Sequence, residues 1–338
     1  MTTLQKKDSK ISMIRLIATV MIVTCHMMQY CDFVLAVWFN VGVQIFLCMS
    51  GYLYGYKINT DVNDIDFYKR TIPKILIDYY IVIVGAIIIQ LVLFPDEISM
   101  FKIAGALITF GRLSGGAHLW YIPYVIASYL MVPLLARFMD YYKGNNKKLV
   151  VATLFAMAFV LLMSVSFVRY FEGAWIICFI IGFFFGFCEK NTKVTLIKNI
   201  RTIIYIVCIL LNVVQIYVSY FSDLNFEGFI ENIYIIYCNF AHVSLGCSIF
   251  LLLRQLPFEL NNSRFNAEIN KVLALSDKYS YDIYLVHHFF ILGPASLMAL
   301  TGFLPANIVI IIVITLVCAV VVNKLSGLIK SAFNRNNK

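Results

Sequence analysis

Long apolar segments dominate this sequence and constrain its fold more than any other feature. Ten of them approach the roughly 20 residues that a helix needs to cross the hydrocarbon core of a bilayer. Their predicted bounds are 11–31, 34–54, 75–95, 119–139, 149–167, 172–188, 202–221, 232–253, 279–300 and 303–323. Barrel strands are much shorter than these segments. The sequence therefore predicts an all-α polytopic integral membrane protein with about ten transmembrane helices and no soluble domain.

The composition agrees with a chain that lies largely in lipid. Hydrophobic residues make up 61% of the 338 residues, and charged residues make up only 13%. Soluble domains carry about twice that charged fraction. We expect a single membrane domain over 1–325, followed by a polar cytoplasmic tail over 326–338.

Lys and Arg are distributed unevenly among the predicted loops. Of the 27 such residues, only Lys102, Arg112 and Arg169 fall on one side of the predicted spans. Loops that are rich in Lys and Arg stay in the cytoplasm, so both termini are predicted to be cytoplasmic. The net charge of +9 is then explained by loops beside anionic membrane lipids, and no nucleic-acid partner is predicted.

The nine cysteines fall in or at the edge of predicted spans. None of them forms a CxxC pair or a Cys/His spacing that is typical of a metal site. We interpret them as small apolar packing residues and predict no metal.

Arg15 and His26 introduce polar groups into the first predicted span, "RLIATVMIVTCH". Eleven residues at 100° each bring them back to one face of a helix, about 16 Å apart along its axis. Arg15 alone is typical of a headgroup anchor. A histidine at that depth is costly in lipid and indicates a functional site, with a structural, carbonyl-bonded histidine as the alternative.

Other polar residues are predicted at comparable depths and indicate a polar cavity. Any single Asn or Gln among them could instead form an interhelical hydrogen bond. His287 and His288 are adjacent and point about 100° apart, so we expect at most one of them to face the site. The set consists of Asn40, Gln44, Asn212, Gln215, Asn239, His242, His287 and His288.

Five segments, in this order, resemble the acyltransferase family 3 proteins of bacteria. Arg15 and His26 fit the first-helix pattern of that family, an arginine, ten residues and a histidine. "VGVQIFLCMSGYLYGYK" resembles its second-helix ending, with Ser50, Gly51 and Tyr52. The other matching segments are "FYKRTIPKILIDYY", "HLWYIPYVIASYLMVPLL" and "SYDIYLVHHFF", in which His287 holds the matching position.

The resemblance implies a ten-helix domain that moves an acyl group, usually acetyl, from a coenzyme A thioester to a sugar hydroxyl. His26 is the predicted catalytic residue, as a general base or as an acyl-histidine relay. The phosphates of acetyl-coenzyme A would be held by Arg15, Lys69, Arg70 and Lys74. The family often has two arginines three residues apart where this chain has "KRTIPK", which weakens that assignment for the last three residues.

The expected acceptor is a surface or lipid-linked polysaccharide, and the expected location is the bacterial cytoplasmic membrane. Trp120 and Tyr121 could flank a sugar ring, although an interfacial aromatic belt explains them equally well, and the neighbouring His118 shares this ambiguity. The predicted acceptor-binding residues are Trp120, Tyr121, His287, Ser50 and Asn40.

Other functional classes remain as alternatives. A transporter or flippase would use a polar midplane site, but it would predict inverted repeats with broken spans, and no such pairing is visible. A sensor or scaffold is favoured only if no donor binds. The other large family of membrane O-acyltransferases also uses an intramembrane histidine, and the order of the motifs argues against it.

Overall fold

The structure, a computed structural model, describes residues 8–58, 63–109, 113–166, 173–191, 194–222, 224, 226–257 and 264–336. Arg112 and Arg169, which the charge argument used, lie outside these ranges. The ranges contain helices and turns and no β-strand. The prediction of an all-α fold is confirmed.

Thirteen α-helices are described, together with 3-10 turns at Pro95–Glu97 and Ala117–Trp120. The helices are α1 (Ser9–Tyr30), α2 (Ala36–Phe39), α3 (Gly42–Lys57), α4 (Asp64–Leu93), α5 (Met100–Leu107), α6 (Tyr121–Leu130), α7 (Val132–Tyr142), α8 (Asn146–Ser166), α9 (Ala174–Asn191), α10 (Val194–Phe221), α11 (Gly228–Gln255), α12 (Arg264–Ile291) and α13 (Leu304–Asn336).

Eight helices in the described part of the chain are long and apolar enough to cross a membrane, and the pair α6 and α7 adds a ninth if it forms one span. The remaining predicted span, 279–300, corresponds to α12. This helix ends at Ile291, and its polar residues, which include Asp277, Asp282 and the two histidines, make it too polar to be recognised as a span by composition. The polytopic fold is confirmed with eight or nine candidate spans, slightly fewer than predicted.

The first of two compact units contains the described residues within 1–40, 65–129 and 259–338. In this unit α12 packs against both α1 and α13. Asp8 caps the start of α1, because its Oδ1 accepts hydrogen bonds from the backbone N–H groups of Lys10 and Ile11 at 3.0 and 3.4 Å. The capped helix carries Arg15 and His26 along its length.

The last helix of this unit, α13, continues through most of the segment that was predicted as a polar tail. Ser326 is buried, and Nζ of Lys330 lies 2.8 Å from Oδ1 of Asp78 on α4. The first residues of that segment are therefore packed against the helices of the unit. The single membrane domain over 1–325 stays a prediction.

The second unit contains the described residues within 41–64 and 130–258, and its central contact joins α3 to α9. Glycines allow the two helix backbones to touch: a Cβ atom on Gly51 or Gly55 of α3, or on Gly182 or Gly186 of α9, would overlap backbone atoms of the other helix. Gly51 belongs to the "SGYL" segment, so the structure gives this glycine a packing role.

Candidate functional site

Two polar pairs join α1 to α12 within the first unit. Nη1 of Arg15 lies 2.5 Å from Oδ1 of Asp277, and the ring centroids of His26 and His288 lie 4.4 Å apart. Each pair is separated from the other by eleven residues on both helices, which is a rise of about 16 Å. The helices therefore run in the same direction, and Arg15 and His26 face the same neighbour, as their spacing predicts.

Four imidazole rings meet at the second of these pairs. We call His26, His118, His287 and His288 the histidine cluster. The ring centroid of His26 lies 5.2 Å from that of His287 and 6.3 Å from that of His118. The ring of His118 lies 5.2 Å from His287 and stacks on His288 at 4.5 Å. The cluster thus combines side chains from α1, α12 and the turn that precedes α6.

The expectation that at most one of His287 and His288 faces the site is wrong. Their side chains point in different directions from α12, but both belong to the cluster. The ring of His26 lies beside both of them, and so does the ring of His118. His118, which the sequence left ambiguous, is buried at 3% exposure inside the cluster. An interfacial aromatic belt does not describe this position.

Backbone carbonyls determine which nitrogen carries the hydrogen in two of these rings. Nδ1 of His287 lies 2.8 Å from the carbonyl oxygen of Tyr284 and 3.0 Å from that of Ile283. Nε2 of His118 lies 3.2 Å from the carbonyl oxygen of Leu285. A carbonyl only accepts, so each of these nitrogens donates an N–H. The lone pairs are then on Nε2 of His287 and Nδ1 of His118.

The other two rings follow the same pattern. Nδ1 of His288 lies 2.7 Å from the carbonyl oxygen of Gly115, and Nδ1 of His26 lies 2.6 Å from Oε1 of Gln29. With the amide of Gln29 oriented in this way, His26 also donates from Nδ1. All four rings can therefore be neutral, with one nitrogen fixed as a donor and the other left as a base.

A glycine contact holds the loop that supplies one of these partners, the carbonyl of Gly115. Gly293 follows α12 with φ +131°, and a Cβ atom there would lie 2.6 Å from Cα of Gly115, which has φ +74°. Nε2 of Gln90 donates to the carbonyl oxygen of the adjacent Ser114 at 2.8 Å. These contacts place the Gly115 carbonyl against His288. Both positions require glycine, because a side chain would have no room there and residues with a side chain rarely adopt these positive φ angles.

Aromatic side chains support the cluster from the side of α6. The hydroxyl of Tyr284 donates to the carbonyl oxygen of His118, and the Tyr284 ring lies 5.2 Å from that of Tyr121. Tyr121 is buried in this packing, whereas Trp120 is half-buried and contacts the ring of Tyr124. Of the two predicted sugar-stacking residues, Trp120 has the more accessible side chain.

The Arg15 end of the interface contains a buried carboxylate that the sequence analysis missed. The Asp277 side chain is only 5% exposed, and its Oδ2 accepts a hydrogen bond of 2.6 Å from the hydroxyl of Ser12. Within the described residues, the guanidinium of Arg15 makes no other hydrogen bond than the one to Asp277. An arginine has five N–H donors, so most of them stay available to a ligand.

The three other predicted phosphate-binding residues, Lys69, Arg70 and Lys74, are exposed in the first part of α4. The nearest described link to the cluster's helices is a hydrogen bond of 3.1 Å from the hydroxyl of Tyr281 on α12 to the carbonyl oxygen of Ile75. Tyr281 lies one turn after Asp277. This bond brings the first part of α4 against α12, the helix whose Asp277 binds Arg15.

Several of the predicted polar residues lie elsewhere. Asn40 is half-buried at the end of α2, and Ser50 is half-buried on α3 in the second unit. Two polar contacts of that unit join α10 to α11: Nδ2 of Asn212 donates to the carbonyl oxygen of Ala241 at 3.1 Å, and Nε2 of Gln215 lies 3.2 Å from Nε2 of His242. These are interhelical hydrogen bonds, the alternative that the sequence left open.

Among the described residues, no three His, Cys, Asp or Glu side chains have the arrangement needed to hold a metal ion. The contacts of the histidine cluster are to carbonyl oxygens and to the amide of Gln29. Its chemistry is that of neutral imidazoles beside one another.

Asp277, Gln29 and Gly115 are site residues that sequence reasoning did not identify. One signal was present for the first of them, because Asp277 precedes His288 by the same eleven residues that separate Arg15 from His26. Gln29 offered no comparable signal. Gly115 acts through its carbonyl oxygen and a backbone angle, which the residue type alone does not reveal.

Comparison with known proteins now identifies the kind of chain that carries this site. No curated protein and no solved structure matches it. The acyltransferase domain of acyltransferase family 3 matches residues 8–324, which include every member of the histidine cluster and Arg15. This match favours acyl transfer over the transporter and scaffold alternatives. The chain therefore belongs to acyltransferase family 3 and is a multi-pass membrane acyltransferase.

Proposed function

We propose that this protein transfers an acyl group, most simply acetyl, from a coenzyme A thioester to a hydroxyl of a surface or lipid-linked polysaccharide. The observation that carries the proposal is the pairing of two sites on one helix interface. A cation, Arg15, lies at one end, and a cluster of neutral imidazoles around His26 lies about 16 Å away.

The Arg15 end is the proposed site for the phosphates of the donor. If both termini lie in the bacterial cytoplasm, as the distribution of Lys and Arg predicts, this end faces the compartment in which acetyl-coenzyme A is made. The unpaired N–H groups of Arg15 and the exposed Lys69, Arg70 and Lys74 would bind the phosphates. The slim pantetheine arm would then run along α1 toward His26.

The His26 end is the proposed site of acyl transfer. A sugar hydroxyl is a weak nucleophile at neutral pH, and a thioester carbonyl is attacked only when a base removes the hydroxyl proton or a better nucleophile takes the acyl group first. The Nε2 atom of His26 suits both roles, because Nδ1 is occupied by Gln29. His26 is therefore the proposed catalytic residue, as general base or as acyl carrier.

The acceptor would approach the cluster beside Trp120 and Tyr121, which directly follow His118 and Leu119 in the chain. The half-buried Trp120 is the better candidate to stack on a sugar ring. His287 would contact the reacting hydroxyl, while Ser50 and Asn40 stay predicted acceptor contacts. A lipid-linked or surface glycan suits a reaction at this depth in the bilayer.

Radiolabelled acetyl-coenzyme A provides the direct test, with purified protein in lipid vesicles and octyl glucoside as a lipid-like sugar acceptor. The test variant is His26→Asn, whose amide can keep the hydrogen bond to Gln29 while the base is lost. The matched control is His242→Gln on α11, which keeps an acceptor for Gln215. We expect His26→Asn to lose about 100-fold or more of its transfer rate and the control to stay near wild type.

Wild-type protein that neither binds nor consumes acetyl-coenzyme A would contradict the proposed donor. Equal transfer rates in wild type and His26→Asn would contradict the proposed site. A parallel assay with succinyl-coenzyme A compares the transfer rates of the two acyl groups and shows which of them the protein prefers.

A further inference from the structure

Each ring of the histidine cluster has one nitrogen with a free lone pair, and no ring has an N–H left to donate to the lone pair of another. His118 and His287 each use their only N–H on a backbone carbonyl, and His26 and His288 use theirs on Gln29 and Gly115. A neutral imidazole has one donor and one acceptor nitrogen. The remaining nitrogens are therefore all acceptors, and no ring in the cluster can satisfy another.

Two of these acceptors are buried and have no partner. Nε2 of His287 and Nδ1 of His118 make no hydrogen bond, although His287 is fully buried and His118 is 3% exposed. Buried polar atoms without a partner are rare in folded proteins, because each one costs about 1 to 3 kcal/mol. Such a pair, 5.2 Å apart by ring centroid, indicates a place for a group that donates hydrogen bonds.

Only one reactant of the proposed function carries such a hydrogen at its reacting atom. A thioester offers a carbonyl oxygen and a sulfur, which accept, whereas the acceptor hydroxyl offers an O–H. We propose that His287 is a second catalytic base, whose Nε2 binds and deprotonates the acceptor hydroxyl beside His118, and that His26 carries the acyl group. This inference rests on the proposed function and assigns the two substrates to different histidines.

The transfer balances in two steps. In the first, Nε2 of His26 attacks the thioester carbonyl, the carbon–sulfur bond breaks, and the thiolate of coenzyme A leaves with the electron pair. In the second, Nε2 of His287 takes the hydroxyl proton while the hydroxyl oxygen attacks the acyl carbon. The carbon–nitrogen bond breaks, its electron pair returns to His26, and the proton passes from His287 to the thiolate.

Isosteric variants separate this role from a structural one. His287→Asn places an amide N–H where Nδ1 donates to the carbonyl oxygens of Ile283 and Tyr284, but it lacks a base at the Nε2 position. His118→Gln likewise keeps a donor for Leu285 and removes Nδ1. If the histidine has only a structural role, the variant should keep its activity, because it keeps the hydrogen bond. If the histidine is a catalytic base, the variant should lose activity.

The assay measures two quantities for each variant in vesicles: binding of acetyl-coenzyme A and transfer to octyl glucoside. We expect His287→Asn to bind the donor within about twofold of wild type and to lose transfer by about 100-fold or more, the usual effect of removing a general base. We expect a smaller loss in His118→Gln. In His287→Ala, added imidazole should restore part of the transfer, because it can occupy the space of the missing ring.

Transfer by His287→Asn within about threefold of wild type would overturn the proposal. If His287→Asn lost donor binding and transfer to the same extent, His287 would have a structural role, and the proposal would be overturned. A failure of imidazole to restore transfer in His287→Ala would also overturn it. The proposed function fails separately, when the wild-type protein itself neither binds nor consumes the donor.

Discussion

The guanidinium of Arg15 lies 2.5 Å from the carboxylate of Asp277, a residue 262 positions later in the chain. His26 and His288 are separated by the same 262 positions and are also in contact. The first and twelfth helices are thus parallel and in register over eleven residues. One register places a charged pair and an imidazole pair on a single interface, about 16 Å apart.

Replacing Asp277 tests the charged pair. In Asp277→Asn, Arg15 keeps its charge but loses its buried counter-ion, which typically costs about 3 to 5 kcal/mol. Arg15 is 22% exposed, so we expect a loss near the lower end of that range. Thermal unfolding in detergent measures it, and donor binding should weaken as the guanidinium loses its orientation.

Glu268→Gln is the matched control for Asp277→Asn. Glu268 pairs with Lys271 on the same helix at 2.7 Å, but both side chains are about two-thirds exposed, at 66% and 69%. An exposed pair contributes about 0 to 1 kcal/mol. If Asp277→Asn unfolds at the same temperature as Glu268→Gln, the buried pair does not stabilise the protein as argued.

The contact between Gly293 and Gly115 predicts that adding a single methyl group will cause a large loss of activity. In Gly293→Ala, the added Cβ atom would lie 2.6 Å from Cα of Gly115, and the alanine backbone would have to adopt φ +131°. The Gly115 carbonyl should move from His288, and transfer from acetyl-coenzyme A should fall at least tenfold. Gly302→Ala, which meets no atom within 4 Å, should retain wild-type transfer. Equal rates in the two variants would contradict this role of the loop.

Helix packing in the second unit gives a prediction about stability. In Gly182→Ala, the new methyl group would overlap the carbonyl oxygen of Cys48, so α3 and α9 must separate. We expect a large drop in thermal stability. Gly85→Ala in α4 adds a methyl group to open space and should stabilise the protein by about 0.5 to 1 kcal/mol. A Gly182→Ala protein as stable as wild type would show that the close contact is dispensable.

A covalent intermediate is expected if His26 carries the acyl group. Incubation of His287→Asn with radiolabelled acetyl-coenzyme A should leave label on the denatured protein, because the second half of the reaction is blocked. Neutral hydroxylamine should release this label, and His26→Asn,His287→Asn should acquire none. Label retained equally in the double variant would place the acyl group on another residue.

The sequence was sufficient for the parts of the site that depend on one helix. The spacing of Arg15 and His26 predicts a shared face, and the structure shows both facing α12. The expectation that at most one of His287 and His288 faces the site was wrong, because the angle between adjacent side chains does not limit how far a cluster extends. Asp277 was missed since its partner lies at the other end of the chain.

Residues outside regular helices were the hardest to predict. His118 lies in a 3-10 turn, where hydrophobic periodicity gives no direction for the side chain. Its burial depends on Gly115 and Gly293, whose positive φ values bring a loop against the end of α12. Pairing across 173 residues, as between His288 and Gly115, is a property of the fold alone.

The polarity of α12 has a consequence for how the protein is made. A helix that carries Asp277, Asp282 and two histidines is too polar to enter lipid by itself. Its partner α1 leaves the ribosome more than 200 residues earlier. We therefore expect α12 to insert late, by docking directly onto α1 when α1 is already in the bilayer, so that the histidine cluster is completed only during the last part of membrane insertion.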